Sequence, residues 1–171
     1  PYTRGRVRSR RPEDVEEEVK ILAEEGYKEI VLTGIHLTSY GIDFKDEGID
    51  FLTLIRRLHE IDGIERIRFG SLEPRVITEE FASELSRLPK ICPHFHLSLQ
   101  SGCDDTLKRM NRHYDTAEYA ELCEKLRRHF PNCAITTDIM VGFPQETDEE
   151  FEKSLAFAKK ISFAETHIFP Y

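Results

Sequence analysis

The sequence has no long apolar run and no visible leader, and its cysteines are few and far apart. No stretch approaches the ~20 apolar residues that a transmembrane helix needs, and the chain starts at Pro1 without a methionine or a signal peptide. Its cysteines, Cys92, Cys103, Cys123 and Cys133, lie 11, 20 and 10 residues apart, unlike the close pairs of zinc and iron–sulfur motifs. We therefore expect reduced thiols in a cytoplasmic protein. The abrupt start predicts an origin in the middle of a longer chain.

The composition is that of one globular domain with an uneven charge. Of 171 residues, 39% are apolar and 33% are charged, which excludes a disordered tail and a membrane protein. The net charge is −8, but residues 1–11 contain five arginines and no acid, so residues 12–171 carry −13. This basic arm predicts a local contact with an anion such as the RNA backbone, and a solvated end is the alternative. Its arginines are Arg4, Arg6, Arg8, Arg10 and Arg11.

Hydrophobic periodicity predicts helices and strands in alternation. Such alternation favours a parallel sheet with right-handed crossovers, either open and doubly wound or part of a β/α barrel. A capping box at Thr147 and Glu150 predicts the start of a helix whose residues Phe151, Leu155 and Ala158 face inward. The predicted strands are Glu29–Thr33, Arg66–Gly70, His94–Leu99, Ala134–Val141 and Glu165–Phe169. The other predicted helices start near Pro12 or cover Phe51–Ile61, Glu79–Leu88 and Thr116–Phe130.

One face of the predicted strands is repeatedly polar, which favours the barrel. A sheet covered by helices on both sides should be apolar on both faces, whereas a barrel lumen that holds a polar ligand needs polar groups. The polar positions include His94, His96, Ser98 and Asp138.

Small, polar or kinked residues follow each predicted strand, where β/α folds build their sites. Glu73 precedes a proline, which holds it extended and offers its carboxylate to ribose hydroxyls or an ammonium group. A surface acid is the alternative for this residue taken alone.

A series of motifs runs in order along the whole chain and resembles the radical S-adenosylmethionine (SAM) domain of the methylthiotransferases. The variant that begins at Gly34, Gly-Ile-His-Leu, looks most like the branch that modifies threonylcarbamoyladenosine in tRNA. The branches acting on isopentenyladenosine in tRNA and on a ribosomal protein are the alternatives. The motifs are Pro1–Arg6, Val31–Gly41, Ser71–Pro74, His96–Gly102, Leu107–Arg112 and Asp138–Thr147.

The resemblance implies an α/β fold, a partial β/α barrel with five of the family's six parallel strands. Residues 1–11 would follow the family's Cys-x-x-x-Cys-x-x-Cys loop, and residues 12–171 would form the incomplete barrel. The parent would use SAM, an electron donor and two 4Fe–4S clusters whose ligands are absent from this chain. It would methylthiolate C2 of a hypermodified adenosine beside the anticodon of tRNA. We expect the chain alone to be inactive, because the cysteine loop is missing.

The same resemblance assigns SAM contacts to the strand ends and RNA contacts to the basic arm. Arg112 is suited to the SAM carboxylate, because a guanidinium pairs with carboxylates in a fork. No residue is assigned a catalytic or metal-binding role. The implied SAM-binding residues are Gly34, Glu73, Ser98, Gln100, Arg112, Val141 and Gly142.

Two functions from other classes compete with this interpretation. A zinc-dependent barrel hydrolase could use two histidines on one strand face, with further ligands nearby. A non-catalytic module could bind RNA through the arm. The zinc candidates are His36, His94, His96, Asp138 and His167.

Overall fold

Helices and parallel strands alternate along residues 5–34 and 36–171, which this computed structural model describes apart from the side chains of Lys45 and Asp46. The strands are β1 (Glu29–Leu32), β2 (Arg66–Phe69), β3 (Ser71–Leu72), β4 (His94–Leu97), β5 (Ala134–Val141) and β6 (Glu165–Pro170). The α-helices are α1 (Pro12–Glu24), α2 (Phe51–His59), α3 (Glu79–Ser86), α4 (Asp104–Arg109), α5 (Thr116–His129) and α6 (Asp148–Ile161). Short 3₁₀ helices cover Leu37–Ser39, Ile42–Glu47 and Pro74–Val76.

The first of two structural units comprises residues up to Gly70 together with Glu84–Cys92. Here β1 and β2 pair in parallel, and Ile67 of β2 also bridges to Ile91 in parallel. Helix α2 begins where the Asp50 carboxylate accepts a hydrogen bond from the backbone N–H of Thr53. Its buried face packs into the core of this unit through Phe51, Leu54, Ile55 and Leu58.

The second unit comprises Ser71–Ser83 and Pro93–Tyr171. Its sheet has the order β3-β4-β5-β6, and every neighbouring pair is parallel. Buried residues of β4 and β5 form the core, together with Tyr119 of α5. The parallel pairing confirms the predicted α/β class. The predicted second strand corresponds to β2, and the short strand β3 directly after Gly70 was not predicted.

The rotation of α6 differs from the sequence prediction. The capping box of Thr147 and Glu150 starts the helix as predicted, but Phe151 and Leu155 are 41% and 37% exposed. Ser154 is buried instead, because its hydroxyl accepts a hydrogen bond from the backbone N–H of Gly102 at 2.8 Å. This contact with the segment after β4 turns the predicted inner face outward.

Two further local differences have backbone causes. β4 ends at Leu97 rather than Leu99, and Gln100 just beyond it adopts a left-handed φ of 72°. The short helix α4, which includes Asp104 and Asp105 in its first turn, follows this kink and was not predicted. Among the described residues, no helix combines the length and apolarity needed to cross a membrane.

Candidate functional site

Polar side chains on β4 and β5 form a hydrogen-bonded network, called here the polar face (His94, His96, Ser98, Thr136 and Asp138). The His96 ring is held at both nitrogens, with Nδ1 3.0 Å from Thr136 Oγ1 and Nε2 3.2 Å from Asp138 Oδ2. The register explains these contacts, because His96 pairs directly with Thr136. The sequence placed these residues on one face, and the structure shows how they bond.

Asp138 keeps an open acceptor in the polar face. Its Oδ2 also lies 3.4 Å from the Ser98 hydroxyl, which donates to it. Its Oδ1 has no hydrogen bond from the described residues, and the side chain is 26% exposed. A carboxylate has about four acceptor positions, so Asp138 retains capacity for a donor on a ligand. Sequence analysis named Asp138 as a polar strand position and a candidate zinc ligand but not as a SAM contact.

The backbone after β4 is fixed by a second bridge to β5. The N–H of Gln100 donates to the carbonyl of Asp138 at 2.8 Å, and its own carbonyl accepts from Met140 at 2.9 Å. A left-handed φ is uncommon for residues other than glycine and often marks functional positions. These bonds hold Gln100, a predicted SAM contact, at the end of the polar face.

Tyr114 brings three of the predicted contacts together and was missed by sequence analysis. Its hydroxyl lies 2.8 Å from the carbonyl of Ser98 and 2.9 Å from that of Leu99, and it donates to this pair. Burial raises the pKa of Tyr114, the charge of Arg112 lowers it and the charge of Glu73 raises it. Glu73 and Arg112 therefore both lie within electrostatic range of one phenol. The sequence shows no local signal for this contact, which joins separate segments.

The segment after β3 keeps Glu73 exposed and extended, as the following proline predicts. Beyond it, the guanidinium of Arg75 donates to the carbonyl of His113. This bond ties the Glu73 segment to the loop that carries Arg112 and Tyr114.

The predicted residues at the end of β5 offer an open but partly engaged backbone. Val141 is half-buried, and its carbonyl accepts a hydrogen bond from the N–H of Tyr171 at 2.9 Å. Gly142 has a left-handed φ of 74°, and no atom lies within 4 Å of the position where a Cβ would stand. Its N–H already donates to Glu146 Oε2 at 2.5 Å. The structure therefore leaves Gly142 free space but not a free N–H.

Gly34 lies in the first unit, where Leu37 packs 3.2 Å from the position of a Cβ. The next residue, Ile35, lies outside the described residues. The motif that begins at Gly34 thus stays a prediction.

The basic arm is partly neutralised by its own unit. Arg10 pairs with Glu18 of α1, and Arg11 forms a fork with Glu47 at 2.9 and 3.0 Å. Hydrogen bonding to the Glu47 carboxylate raises the pKa of Arg11. Arg10 and Arg11 are therefore both engaged by acids of the first unit.

Two arginines of the arm are available to a partner. Arg6 and Arg8 are exposed and have no ion pair with any described residue, whereas Arg4 lies outside those residues.

The possible metal ligands of the described residues do not match the predicted zinc site. Three atoms of Cys103, Asp105 and Glu150 lie within 4.8 Å of one another, and the polar-face histidines form no such group. Arg109 holds Glu150 in a fork at 2.6 and 2.9 Å and lowers its pKa to about 2. Because that carboxylate is already neutralised by a guanidinium, the cluster is a poor cation site.

Comparison with known proteins identifies the superfamily of this chain. Residues 1–158 match the Radical SAM superfamily. The chain is 47% identical over its whole length to tRNA-2-methylthio-N(6)-dimethylallyladenosine synthase from Thermoanaerobacter sp. strain X514 and 43% identical to that from Clostridium botulinum strain Okra. It spans only 36% and 38% of those two proteins.

Solved structures agree on the fold. Coproporphyrinogen III oxidase from Escherichia coli superposes with a TM-score of 0.69 at 16% identity, over 93% of this chain and 36% of that one. A radical SAM methyltransferase from Kitasatospora setae superposes with a TM-score of 0.72 at 15% identity, over 94% and 31%. The predicted fold class, an α/β partial barrel of the radical SAM type, is confirmed.

The chain belongs to the radical SAM superfamily, and the relatives that it matches over its whole length are named as 2-methylthio synthases. The family resemblance drawn from the motifs is thereby confirmed. These two relatives are named for N6-dimethylallyladenosine. This base is the isopentenyladenosine that the sequence analysis gave as an alternative substrate.

Proposed function

We propose that this chain is the SAM-binding part of an enzyme that methylthiolates a hypermodified adenosine beside the anticodon of tRNA. The observation that carries the proposal is the identity of 47% across the whole chain to a relative whose name states a 2-methylthio product on tRNA. The open carboxylate and kinked backbone at the ends of β4 and β5 support it, since β/α folds bind ligands there.

Two adenosine derivatives are candidates for the substrate. The Gly-Ile-His-Leu variant at Gly34 favours N6-threonylcarbamoyladenosine, and the names of the relatives favour N6-dimethylallyladenosine. We place the threonylcarbamoyl base first, because the motif that favours it belongs to this chain itself.

SAM is a polar ligand with several hydrogen-bond donors, and the residues of the second unit fit such a ligand. Asp138 offers an acceptor to the ligand, and Ser98 and Gln100 present polar groups beside it. Arg112 supplies a cation for the carboxylate, and the empty space at Gly142 admits a flat ring. Together with its iron–sulfur cluster, bound SAM supplies one-electron chemistry, and these side chains bind and orient it. Glu73 completes the proposed contacts of this unit, and Gly34, in the first unit, stays a separate prediction.

The cysteines of this chain do not fit an iron–sulfur cluster. Cys123 is fully buried, burial raises its pKa to about 12, and the one group of three neighbouring ligands in the described chain contains a single cysteine. We therefore assign the cluster ligands to other parts of the protein. In keeping with this, we expect residues 1–171 alone to have no methylthiotransferase activity after iron–sulfur reconstitution, and turnover would contradict that expectation.

The test of the proposed function is a nucleoside analysis of tRNA. Deletion of the gene should remove 2-methylthio-N6-threonylcarbamoyladenosine from digested tRNA, measured by mass spectrometry, and the intact gene should restore it. An allele with Asp138→Asn should restore little, whereas the matched allele Asp62→Asn, at an exposed turn, should restore all. Loss of the dimethylallyl product instead would identify the second candidate. If neither product changed, the proposal would be wrong.

We also propose that the basic arm contacts tRNA phosphates through Arg6 and Arg8. Replacing both with alanine should lower the slope of log affinity against log salt by about 2, since each phosphate contact contributes about 1. The matched double variant of Arg10 and Arg11 should change the slope less, because those side chains already pair with acids. Equal effects of the two variants would contradict this assignment.

A further inference from the structure

Both ring nitrogens of His96 form hydrogen bonds, so the orientation of the ring is fixed. A carboxylate oxygen accepts, so the Nε2 of His96 is the donor to Asp138, and Nδ1 shares the second hydrogen bond with the hydroxyl of Thr136. Thr136 is 5% exposed and also lies 3.4 Å from Nε2 of His94. With both nitrogens engaged, the ring cannot flip without breaking two hydrogen bonds.

The consequence falls on the Asp138 carboxylate. His96 and Ser98 both donate to Oδ2, and this selects one rotation of the carboxylate plane. The other oxygen is then presented at a defined position on the open side. Without His96, the remaining donor is a serine at 3.4 Å, which is too long to fix the plane.

We propose that His96 is a positioning residue that holds Asp138 so that its second oxygen accepts a hydrogen bond from the nucleoside part of the bound ligand. The inference rests on the proposed function, in which Asp138 contacts SAM. His96 itself contributes no contact to the ligand. Its effect on binding passes through one carboxylate, which makes the two residues energetically coupled.

The test compares two amide replacements in the complete, iron–sulfur-reconstituted protein. In His96→Gln the side-chain amide lies near the place of Nε2 and can still donate to Asp138, whereas in His96→Asn it lies near the place of Nδ1. His96→Gln should keep the Kd for SAM within about threefold, and His96→Asn should raise it about tenfold, the effect of losing one hydrogen bond to a charged group. Titration calorimetry measures both values, and the thermal midpoint separates binding from stability.

Three further variants keep the inference falsifiable. Thr136→Val releases the ring without altering His96 and should weaken SAM binding about threefold even if His96→Asn does not fold. Asp138→Asn should weaken binding at least tenfold, and adding His96→Asn to it should have little further effect. The matched control is His129→Asn, which breaks a surface pair between His129 and Glu79 and should leave the Kd unchanged.

The outcomes separate the inference from the proposed function. If wild-type protein methylthiolates tRNA while His96→Gln and His96→Asn bind SAM equally well, the positioning role is wrong and the proposed function stands. Additive effects of His96→Asn and Asp138→Asn would also overturn the positioning role. If wild-type protein neither binds SAM nor modifies tRNA, both the proposed function and the inference fail.

Discussion

Gly102 sits where the segment after β4 touches α6, and replacing it with alanine should destabilise the protein. An alanine Cβ would lie 2.8 Å from both the Phe157 Cβ and the Ser154 carbonyl oxygen, and 2.9 Å from the Ser154 Cα. Ordinary carbon contacts lie near 3.5–4.0 Å, so α6 must move by roughly 0.5–1 Å. Overpacking of this kind costs about 1–3 kcal/mol. The displaced helix also stretches the bond from the Gly102 N–H to Ser154, worth about 1 kcal/mol.

The opposing contribution is small. Alanine restricts the unfolded chain and thereby returns about 0.4–1 kcal/mol. The net loss for Gly102→Ala is about 2 kcal/mol, which lowers the melting temperature by roughly 4–8 °C. Differential scanning calorimetry of the complete protein measures this shift.

Two companion variants isolate the steric cause. In Gly70→Ala the nearest atom to the new Cβ is the Leu32 carbonyl oxygen at 3.4 Å, so its melting temperature should stay within about 2 °C. Ser154→Ala should cost about 1 kcal/mol alone and less than that when added to Gly102→Ala, because the shifted helix has already lost the bond. A melting temperature of Gly102→Ala equal to that of wild type would refute the tight packing of Gly102 against α6.

Three other predictions follow from single side chains. Tyr114→Phe should cost about 1 kcal/mol, because the carbonyl of Ser98 loses its donor, and an unchanged urea midpoint would contradict this. Arg109 lowers the pKa of Glu150 from 4.5 to about 2. The pair of Arg109 and Glu150 therefore stabilises the folded protein fully above pH ~4.5, and this stabilisation disappears as the pH falls towards 2. The difference in melting temperature between wild type and Glu150→Gln should therefore shrink from pH 5 to pH 3, and a widening difference would argue against the pair. Cys123, fully buried and with its pKa raised to about 12, should resist iodoacetamide at pH 8 until urea is added, as peptide mass spectrometry would show.

Local sequence signals predicted the elements well where the stabilising contacts are also local. The capping box at Thr147 and Glu150 identified the start of α6, and the alternation in β4 placed His94 and His96 together on one face. The bounds of β5, Ala134–Val141, follow from its β-branched and apolar residues. These features depend on neighbours within a few residues.

Long-range contacts account for the features that the sequence could not predict. The rotation of α6 about its axis is set by the hydrogen bond between Gly102 and Ser154, which lie 52 residues apart in the chain. The partners of the arm arginines include Glu47, 36 residues from Arg11. Tyr114 reaches the end of β4 from a separate loop. Such contacts leave no periodic pattern in the sequence. Composition and spacing therefore predict on which face of a strand or helix a residue lies better than they predict its bonding partner.

The hydrogen bonds of the polar face also bear on the two ligand classes that its residues suggested. A zinc site would need the lone pair of a histidine nitrogen directed at the metal. Nε2 of His96 instead contacts Asp138, and Nδ1 contacts the hydroxyl of Thr136, so both nitrogens are already engaged. The remaining acceptor is the open oxygen of Asp138, which suits a ligand that donates hydrogen bonds. The spacing of these side chains suggested a metal hydrolase, whereas the hydrogen bonds of His96 argue against its being a zinc ligand.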